Sequence, residues 1–340
     1  MGDRLPIDEN LARHDQALCL GTRNGKSALH EHLVQTQAQG LLRHYDMIIR
    51  AMFRAILREM RPRQWTKNAF VLAAVVFDRQ LTNPIAVLRS VLALLLFSLL
   101  ASAVYIFNDL ADVEADRKHP VKRNRPIASG LLSPRTAATA GIVLLGVALV
   151  GGFFLSPGFL VIELAYVVVN GLYSRWLKRI PVLDVLIVAL GFVLRVGAGV
   201  EAIHVSSFSP WLYMVTTLLA LYLALGKRRA ELSLLEGDAG AHRAVLDGYT
   251  MPLLDQLITI VSGTTIIAYS LYTFSAPDLP GDHSMMLTIP FVLYGIFRYL
   301  YLMQVNHSGG EPEEVLLRDR PLQAAVLLWV VGVLVIFYWV

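Results

Sequence analysis

Cysteine is almost absent from this chain of 340 residues. The single cysteine, Cys19, excludes a disulfide framework within the chain. No partner motif accompanies it, so we do not expect it to act as a nucleophile. The first residues also lack the apolar core of a signal peptide. Residues 1–42 are polar and mixed in charge, and we expect them to form a poorly ordered cytoplasmic extension.

Charged residues are scarce as well. They make up only 16% of the chain, against about 25% in soluble domains, while 55% of the residues are hydrophobic. The mean hydropathy is +0.54. This balance excludes the soluble domains that the length alone would suggest. Apolar stretches long enough to cross about 30 Å of hydrocarbon recur along the chain. The predicted fold class is therefore an all-α, polytopic membrane protein with about nine transmembrane helices.

Of the nine predicted spans, the first is the weakest, because the polar residues Lys67 and Asn68 lie close to its start. The loops between them alternate between long and polar, and short and apolar, and we predict a long polar loop over 227–252. The predicted spans are 64–80, 85–107, 136–155, 158–176, 182–203, 209–226, 253–274, 285–304 and 321–340.

A basic amphipathic segment, residues 43–60, precedes the spans. Its apolar residues recur at three- and four-residue steps, and Arg50, Arg54 and Arg58 form a separate stripe. This pattern is typical of a helix that lies in the membrane interface. An ordinary helix packed on the cytoplasmic face of the protein has the same periodicity, so both interpretations stay open. We assign residues 61–340 to a single transmembrane domain.

The distribution of basic residues predicts the orientation. Of the 30 Lys and Arg residues, 26 lie in the N-terminal segment or in the long polar loops, all on one side of the predicted membrane. Because cytoplasmic loops carry an excess of Lys and Arg, the N-terminus is predicted to be cytoplasmic. An odd number of spans in the inner (plasma) membrane then places Val340 outside. The basic charge follows from topology, and no nucleic-acid partner is needed to explain it.

Carboxylates cluster where the second span meets the first long loop. If the helix continues there, Asn108, Asp109, Asp112 and Asp116 lie on one face. Clustered carboxylates repel one another unless a cation neutralises them, and hard oxygen ligands favour Mg²⁺. This ion usually binds through one or two carboxylates plus substrate phosphates. The alternative is a solvated helix end whose carboxylates are balanced by nearby arginines.

Basic residues follow the carboxylates directly. Pro120 and Pro126 interrupt helix in this region, so the basic side chains lie on a shaped loop. Such a run by itself would be explained by membrane topology, but carboxylates for a metal beside cations for phosphate oxygens indicate a diphosphate site. The basic residues are Arg117, Lys118, Lys122, Arg123 and Arg125.

Further charges lie at the same predicted face. Asp184 enters the fifth span, where an acid is costly without a partner, and Arg195 lies about three helical turns further along the same face. For Arg195, a structural partner and a substrate remain equal alternatives. After the sixth span, Lys227, Arg228 and Arg229 could bind an anionic headgroup or only set topology.

The pattern Asn108-Asp109-x-x-Asp112-x-x-x-Asp116, with nine spans and a second motif in the next cytoplasmic loop, resembles the UbiA superfamily of intramembrane prenyltransferases. Other motifs resemble more closely the branch of that superfamily that transfers phosphoribose to decaprenyl phosphate. The resemblance covers about 61–340. These motifs are Arg61-Pro62-x-Gln64-Trp65-x-Lys67-Asn68, His119-Pro120-x-Lys122-x-x-Arg125-Pro126, Tyr173-Ser174-x-x-Leu177-Lys178 and Gly226-Lys227-Arg228.

The resemblance implies a reaction and its participants. 5-Phosphoribosyl 1-diphosphate and decaprenyl phosphate would give decaprenylphosphoryl-5-phosphoribose, a precursor of cell-wall arabinan, and diphosphate. It implies Mg²⁺ at Asp109, Asp112 and Asp116, and we take Asp109, Asp112, Lys178 and Asp184 as candidate catalytic residues. Together with the charge pattern, it makes the following residues candidate substrate contacts: Lys67, Asn108, Lys122, Arg123, Arg125, Tyr173, Lys178, Lys227, Arg228 and Arg229.

One departure from the wider superfamily is informative. The second loop lacks the second Asp-x-x-x-Asp cluster and offers Tyr173, Lys178 and the single carboxylate of Asp184. Basic groups suit a lipid monophosphate better than a second metal-bound prenyl diphosphate. The alternatives are an aromatic-ring polyprenyltransferase of the same superfamily and a transporter of lipids or metabolites. Membrane lipids are expected partners, and a homo-oligomer is an open alternative to a monomer.

Overall fold

The computed structural model describes residues 46–47, 49–205, 210–235, 245–276, 279–305 and 312–339. These residues are almost entirely helical and contain no β-strand. Residues 49–59 form helix α1, on which Met52 and Phe53 are exposed. A helix was predicted here, and its placement in the membrane interface stays a prediction. The extension over 1–42, with Cys19, lies outside the described residues.

The remaining helices follow in chain order. They are α2 (Ala73–Phe77), α3 (Pro84–Ala111), α4 (Val113–Lys118), α5 (Pro134–Leu155), α6 (Pro157–Arg175), α7 (Leu183–Ile203), α8 (Pro210–Leu235), α9 (Met251–Ser275), α10 (Ile289–Gln304), α11 (Pro312–Arg318) and α12 (Arg320–Trp339). Short 3₁₀ segments cover Pro62–Leu72, Lys122–Asn124, Leu177–Arg179, Leu246–Gly248 and Ser284–Thr288.

Eight of these helices are long and apolar enough to cross a membrane, as far as the described residues extend: α3, α5, α6, α7, α8, α9, α10 with the 3₁₀ turn before it, and α12. They correspond to eight of the nine predicted spans. Several begin with a proline in the first turn, where its missing N–H costs nothing. Asn83, Ser133 and Thr250 cap α3, α5 and α9 by accepting backbone N–H bonds.

The first predicted span, 64–80, has a different form. It consists of the 3₁₀ helix Pro62–Leu72 and α2. Since a 3₁₀ helix rises about 2 Å per residue, the two pieces have a combined rise of about 30 Å, close to the thickness of the hydrocarbon core. Trp65 Nε1 donates to Ser102 Oγ at 3.1 Å, and Asn68 Nδ2 donates to Ser98 Oγ at 3.0 Å. The segment therefore runs antiparallel to α3.

Helix α7 is central to the packing. It contacts the 62–77 segment, α3, α6 and α8. At Gly199 a Cβ atom would lie 2.0 Å from the carbonyl oxygen of Val71. The backbone of the 62–77 segment therefore packs directly against α7 at this glycine. The first half of the chain shares one apolar core, in which Phe97, Leu100 and Phe159 are fully buried, and α8 to α12 contribute to two others.

The two ends of the bundle differ in chemistry. At one end, Arg79 donates to the carbonyl of Phe337, and Arg89 donates to the carbonyls of Leu155 and Ala202. The two guanidinium groups therefore hydrogen-bond backbone carbonyls at the C-terminal ends of α5, α7 and α12. The other end holds the acidic and basic side chains of the predicted site.

Helix α8 extends further than its apolar run. It continues to Leu235, so Lys227, Arg228 and Arg229 lie on a helix, and the prediction of a loop over 227–252 was wrong in its first part. Lys and Arg are good helix formers, and hydropathy detects only where the apolar run ends.

Candidate active site

Two buried carboxylates and one arginine form the centre of the charged end. Asp109, in the last turn of α3, and Asp116, on α4, are 5% and 3% exposed. Arg125 Nη1 donates to Asp109 Oδ1 at 2.9 Å and to Asp116 Oδ2 at 2.5 Å. One guanidinium nitrogen thus lies between both carboxylates. The loop with Pro120 and Pro126 folds back, so that Arg125 reaches Asp109 on α3 and Asp116 on α4.

A second arginine reaches Asp109 from the start of the 62–77 segment. Arg61 Nη2 donates to both oxygens of Asp109, to Oδ1 at 2.6 Å. The Arg61 backbone has φ 53°, a left-handed conformation that non-glycine residues adopt rarely. Its guanidinium also lies 5.2 Å from the ring centre of Tyr105. Asp109 is therefore held between two guanidinium groups.

Glu59, at the end of α1, is a third carboxyl group in this cluster. It is 1% exposed. Burial, hydrogen bonding to Asp109 and the negative charge of Asp109 raise the pKa of Glu59 to about 8. Its Oε1 atom is buried and has no hydrogen-bond partner.

Asp112 does not share the environment of the other two aspartates. It lies between α3 and α4 with φ −98° and ψ 10°, so the helix is interrupted there. Its side chain is 45% exposed, and Lys178 Nζ lies 3.5 Å from its Oδ2. The continuous helical face that the spacing predicted is therefore wrong at Asp112, whereas Asp109 and Asp116, two turns apart, do converge. The contact with Lys178 joins the first and second loops.

The other basic candidates surround this cluster to different degrees. Lys122 Nζ lies 4.0 Å from Asp116 Oδ1. Arg123 is exposed on the 3₁₀ turn, while Lys67, Asn108 and Tyr173 are half-buried.

Asp184 and Arg228 form a separate, fully buried pair. Arg228 Nε donates to Asp184 Oδ2 at 2.7 Å, and Tyr249 donates from its hydroxyl to Asp184 Oδ1 at 2.6 Å. Arg228 also pairs with Glu231. The Tyr249 hydroxyl accepts from the backbone N–H of Val182, a residue with φ 67°. Burial and the bond to Asp184 raise the pKa of Tyr249 well above its usual value. These contacts fix where α7 begins against α8.

The basic residues predicted on the third cytoplasmic loop do not share one set of contacts. Arg229, next to Arg228, points to another neighbour: its Nε donates to Asp255 Oδ1 at 2.6 Å and its Nη1 to the carbonyl of Met303 at 3.2 Å. Arg229 therefore is not brought together with Asp184, and it ties α8 to α9 and α10. Lys227 is half-buried.

Arg195 has structural partners within the bundle. Its Nε donates to Asn68 Oδ1 at 2.8 Å, and its Nη2 donates to the Tyr166 hydroxyl at 3.0 Å. Phe97, Tyr166 and Phe192 lie with their ring centres about 5 Å from its guanidinium carbon. Since Asn68 also bonds Ser98, the network anchors the 62–77 segment, which carries Lys67, between α3 and α7.

Asp109 and Asp116 carry the oxygen donors that a hard divalent cation takes, and in this structure both carboxylates are balanced by arginine. Asp109 and Asp116 direct carboxylate oxygens at one cationic nitrogen, so a positive charge is accommodated between them. Within the described ranges, no three His, Cys, Asp or Glu side chains form a complete metal-binding set. Mg²⁺ does not require one, because it usually takes one or two carboxylates and completes its shell with water and substrate phosphates.

Sequence reasoning missed three contributors to this region: Glu59, Arg61 and Tyr249. Arg61 was noted only as part of a motif. Glu59 precedes the resemblance and belongs to a segment interpreted as interfacial, and Tyr249 follows a charged helix end at no informative spacing. Their roles arise from tertiary contacts between residues 40 to 70 positions apart in the chain.

The structure is an apolar helical bundle with one charged end, where the carboxylates of α3 and α4 meet basic loops. The UbiA prenyltransferase family model matches residues 69–313, and the chain belongs to this family. It is therefore a transferase. Its eight long apolar helices, among the described residues, indicate an integral membrane protein.

Curated relatives share most of their length with this chain. It is 36% identical over 287 residues to a decaprenyl-phosphate phosphoribosyltransferase from Mycobacterium tuberculosis, covering 82% of this chain and 92% of the relative. A protein of the same name from Corynebacterium glutamicum is 32% identical over 83% of this chain and 86% of its own length. Among solved structures, a UbiA homologue from Archaeoglobus fulgidus bound to DMAPP and Mg²⁺ has a TM-score of 0.64 at 20% identity, covering 84% of this chain and 99% of that one.

Proposed function

We propose that this chain transfers 5-phosphoribose from 5-phosphoribosyl 1-diphosphate to decaprenyl phosphate and releases diphosphate. The observation that carries the proposal is the contact between Lys178 and Asp112, which brings a basic second loop to the acidic first loop. A cation at that position suits an anionic acceptor. The names of the relatives, over more than four fifths of their length, support the same reaction.

The donor half of the site would lie at Asp109, Asp116, Arg61 and Arg125. As the bond to ribose C1 breaks, negative charge grows on the leaving diphosphate oxygen, and guanidinium groups stabilise it. Mg²⁺, held by Asp109 and Asp116, would neutralise diphosphate oxygens when bound. The two arginines are pre-organised by the same carboxylates, so they need little reordering when the diphosphate arrives.

The acceptor half would lie towards Lys178 and Lys67. The lipid phosphate is already anionic at neutral pH, so its attack on C1 needs no strong general base. The harder task is to bring two anions together, and the lysines reduce their repulsion. The side chain of Lys178 is 27% exposed, which leaves it accessible to a phosphate at the membrane surface. The prenyl tail can stay in the bilayer beside the apolar helix faces.

The site would face the cytoplasm at the inner (plasma) membrane. Phosphoribosyl diphosphate is too highly charged to cross a bilayer unaided, so its site has to open towards the compartment that contains it. The concentration of Lys and Arg at the same end of the bundle agrees with this orientation. The product would then serve as a precursor of cell-wall arabinan.

A donor-exchange assay tests the reaction. Purified protein in detergent with Mg²⁺ receives either phosphoribosyl diphosphate with decaprenyl phosphate, or a prenyl diphosphate with an aromatic acceptor. We expect release of diphosphate only from the first pair. Release only from the second pair would establish an aromatic prenyltransferase, and release from neither pair would contradict the proposal.

A further inference from the structure

His119 opens the motif that contains Lys122 and Arg125, and the proposed reaction assigns it no role. It lies directly after α4, three residues beyond Asp116, and its side chain is half-buried. The chain then enters the 3₁₀ turn Lys122–Asn124. The hydrogen bonds of the imidazole show which of these two elements it stabilises.

The imidazole accepts two backbone N–H groups at the start of the turn. His119 Nδ1 lies 3.2 Å from the backbone nitrogen of Val121 and 3.3 Å from that of Lys122. Because a backbone N–H can only donate, Nδ1 acts as the acceptor, and the proton of the neutral ring is on Nε2. The first N–H groups of a helical turn have no partner within the turn. His119 therefore caps the turn Lys122–Asn124.

The capped turn carries two cations to the buried carboxylates. Lys122 Nζ lies 4.0 Å from Asp116 Oδ1. The backbone N–H of Arg125 donates to the carbonyl of Lys122 at 2.9 Å, so the position of the turn determines where Arg125 leaves it. From there, Arg125 Nη1 contacts both Asp109 and Asp116. The two bonds of His119 thus lie at the start of the segment that places both cations.

We propose that His119 is a positioning residue for the donor diphosphate, because its Nδ1 atom holds the turn that presents Lys122 and Arg125. The inference rests on the proposed function, since it concerns the donor half of that site. A turn of three residues fixes several backbone dihedrals for few hydrogen bonds, so without its cap it would sample other conformations. The apparent affinity for an anion then falls with the fraction of molecules that have both cations in place.

Three substitutions separate this role from a general effect of losing the ring. Asparagine places its side-chain oxygen close to the position of Nδ1 and readily accepts a backbone N–H two residues further on, so His119→Asn should keep the cap. His119→Gln places its amide near the position of Nε2, and His119→Ala has no acceptor. The matched control is Val121→Ala in the same segment. The Val121 side chain is 72% exposed, and the change leaves its backbone N–H in place.

The test measures the binding of inorganic diphosphate to the full-length chain in detergent by isothermal titration calorimetry, with Mg²⁺ at a constant concentration. We expect His119→Ala and His119→Gln to weaken binding about fivefold, the size of effect that a lost side-chain cap typically has. His119→Asn and Val121→Ala should bind within about twofold of the wild type. In the transfer assay, His119→Ala should raise KM for phosphoribosyl diphosphate and leave KM for decaprenyl phosphate unchanged.

Wild-type affinity in His119→Ala would overturn the proposal, and so would a wild-type chain that binds no diphosphate. If His119→Ala does not fold, the Asn and Gln variants decide, and equal binding by these two would overturn it. A rise in both KM values would show a general structural role and would also contradict it. Because diphosphate binding needs no transfer, a wild type that binds diphosphate without transferring phosphoribose would contradict the proposed reaction alone.

Discussion

The central residues of the site are a poor solution for stability alone. Each buried ion loses several kcal/mol of hydration, and a buried ion pair often does no better than apolar residues of the same volume. Here Asp109 and Asp116 are almost fully buried beside Arg61 and Arg125. A surplus of rigidly held charge at the mouth of an apolar bundle is what recognition of a charged ligand requires.

Arg125→Ala tests this interpretation at a single residue. The change removes the group that bridges Asp109 and Asp116 and that would meet the diphosphate. We expect kcat/KM for phosphoribosyl diphosphate to fall about 10- to 150-fold, corresponding to about 1.5–3 kcal/mol for a lost charge-assisted contact. Steady-state kinetics in detergent measure it.

The matched control is Arg135→Ala. Arg135 is exposed in the first turn of α5, directly after the loop that carries Arg125. It should change kcat/KM less than twofold. Equal losses in the two variants would mean that general positive charge, and no specific contact, supports the reaction.

Asp184 illustrates a candidate residue whose surroundings point to structure. It is 0% exposed and bonded to both Arg228 and Tyr249. Asp184→Ala leaves the Arg228 charge without this partner, so we expect a loss of about 3–5 kcal/mol in stability. Tyr249→Phe removes one hydrogen bond and should cost about 1 kcal/mol. Reversible unfolding in mixed detergent measures both. A stable Asp184→Ala protein without transfer activity would return this residue to the catalytic set.

At the scale of elements, hydropathy predicted the spans well because a lipid-facing helix must be apolar over most of its length. It could not predict the 3₁₀ geometry of Pro62–Leu72, since both helix types carry the same apolar residues. It also placed the end of α8 too early, because charged residues continue that helix. Residue spacing predicted that Asp109 and Asp116 lie close together, but it did not predict that the helix is interrupted at Asp112.

The site was predictable in composition and only partly in geometry. The motifs around Asp109, Lys122, Arg125 and Lys178 contain residues that do meet in space. Which acid pairs with which base depends on tertiary contacts that spacing does not contain. Arg229 shows this most clearly, because it follows Arg228 directly and pairs with a different helix.

Gly199→Ala tests how the 62–77 segment is held. The new Cβ would lie 2.0 Å from the Val71 carbonyl oxygen, so the segment would have to move away from α7. Because this segment carries Lys67 and directly follows Arg61, we expect a stability loss of about 1–3 kcal/mol together with reduced transfer. Gly146→Ala on α5 meets no atom within 4 Å and should be neutral or slightly stabilising, as expected for alanine in a helix. Similar behaviour of the two variants in unfolding and kinetic assays would contradict the packing argument.

At the scale of the whole molecule, the charge asymmetry predicts which end faces the cytoplasm. Ser129 is exposed in the loop after α4, and Thr82 is exposed before α3, at the opposite end of the bundle. In a Cys19→Ala background, a cysteine at Ser129 should react with an impermeant maleimide only in inside-out vesicles. A cysteine at Thr82 should react only in right-side-out vesicles. The reverse pattern would place the site away from its water-soluble donor.

Mass spectrometry of the lipid products is the most direct test of the proposed transfer of phosphoribose. Purified protein is incubated with Mg²⁺, phosphoribosyl diphosphate and decaprenyl phosphate, in parallel with the Asp109→Asn variant. We expect decaprenyl phosphate to gain one phosphoribosyl group with the wild-type protein, and we expect the variant, although folded, to form no product. Unmodified decaprenyl phosphate with folded wild-type protein, or equal product from the variant, would contradict the proposed reaction.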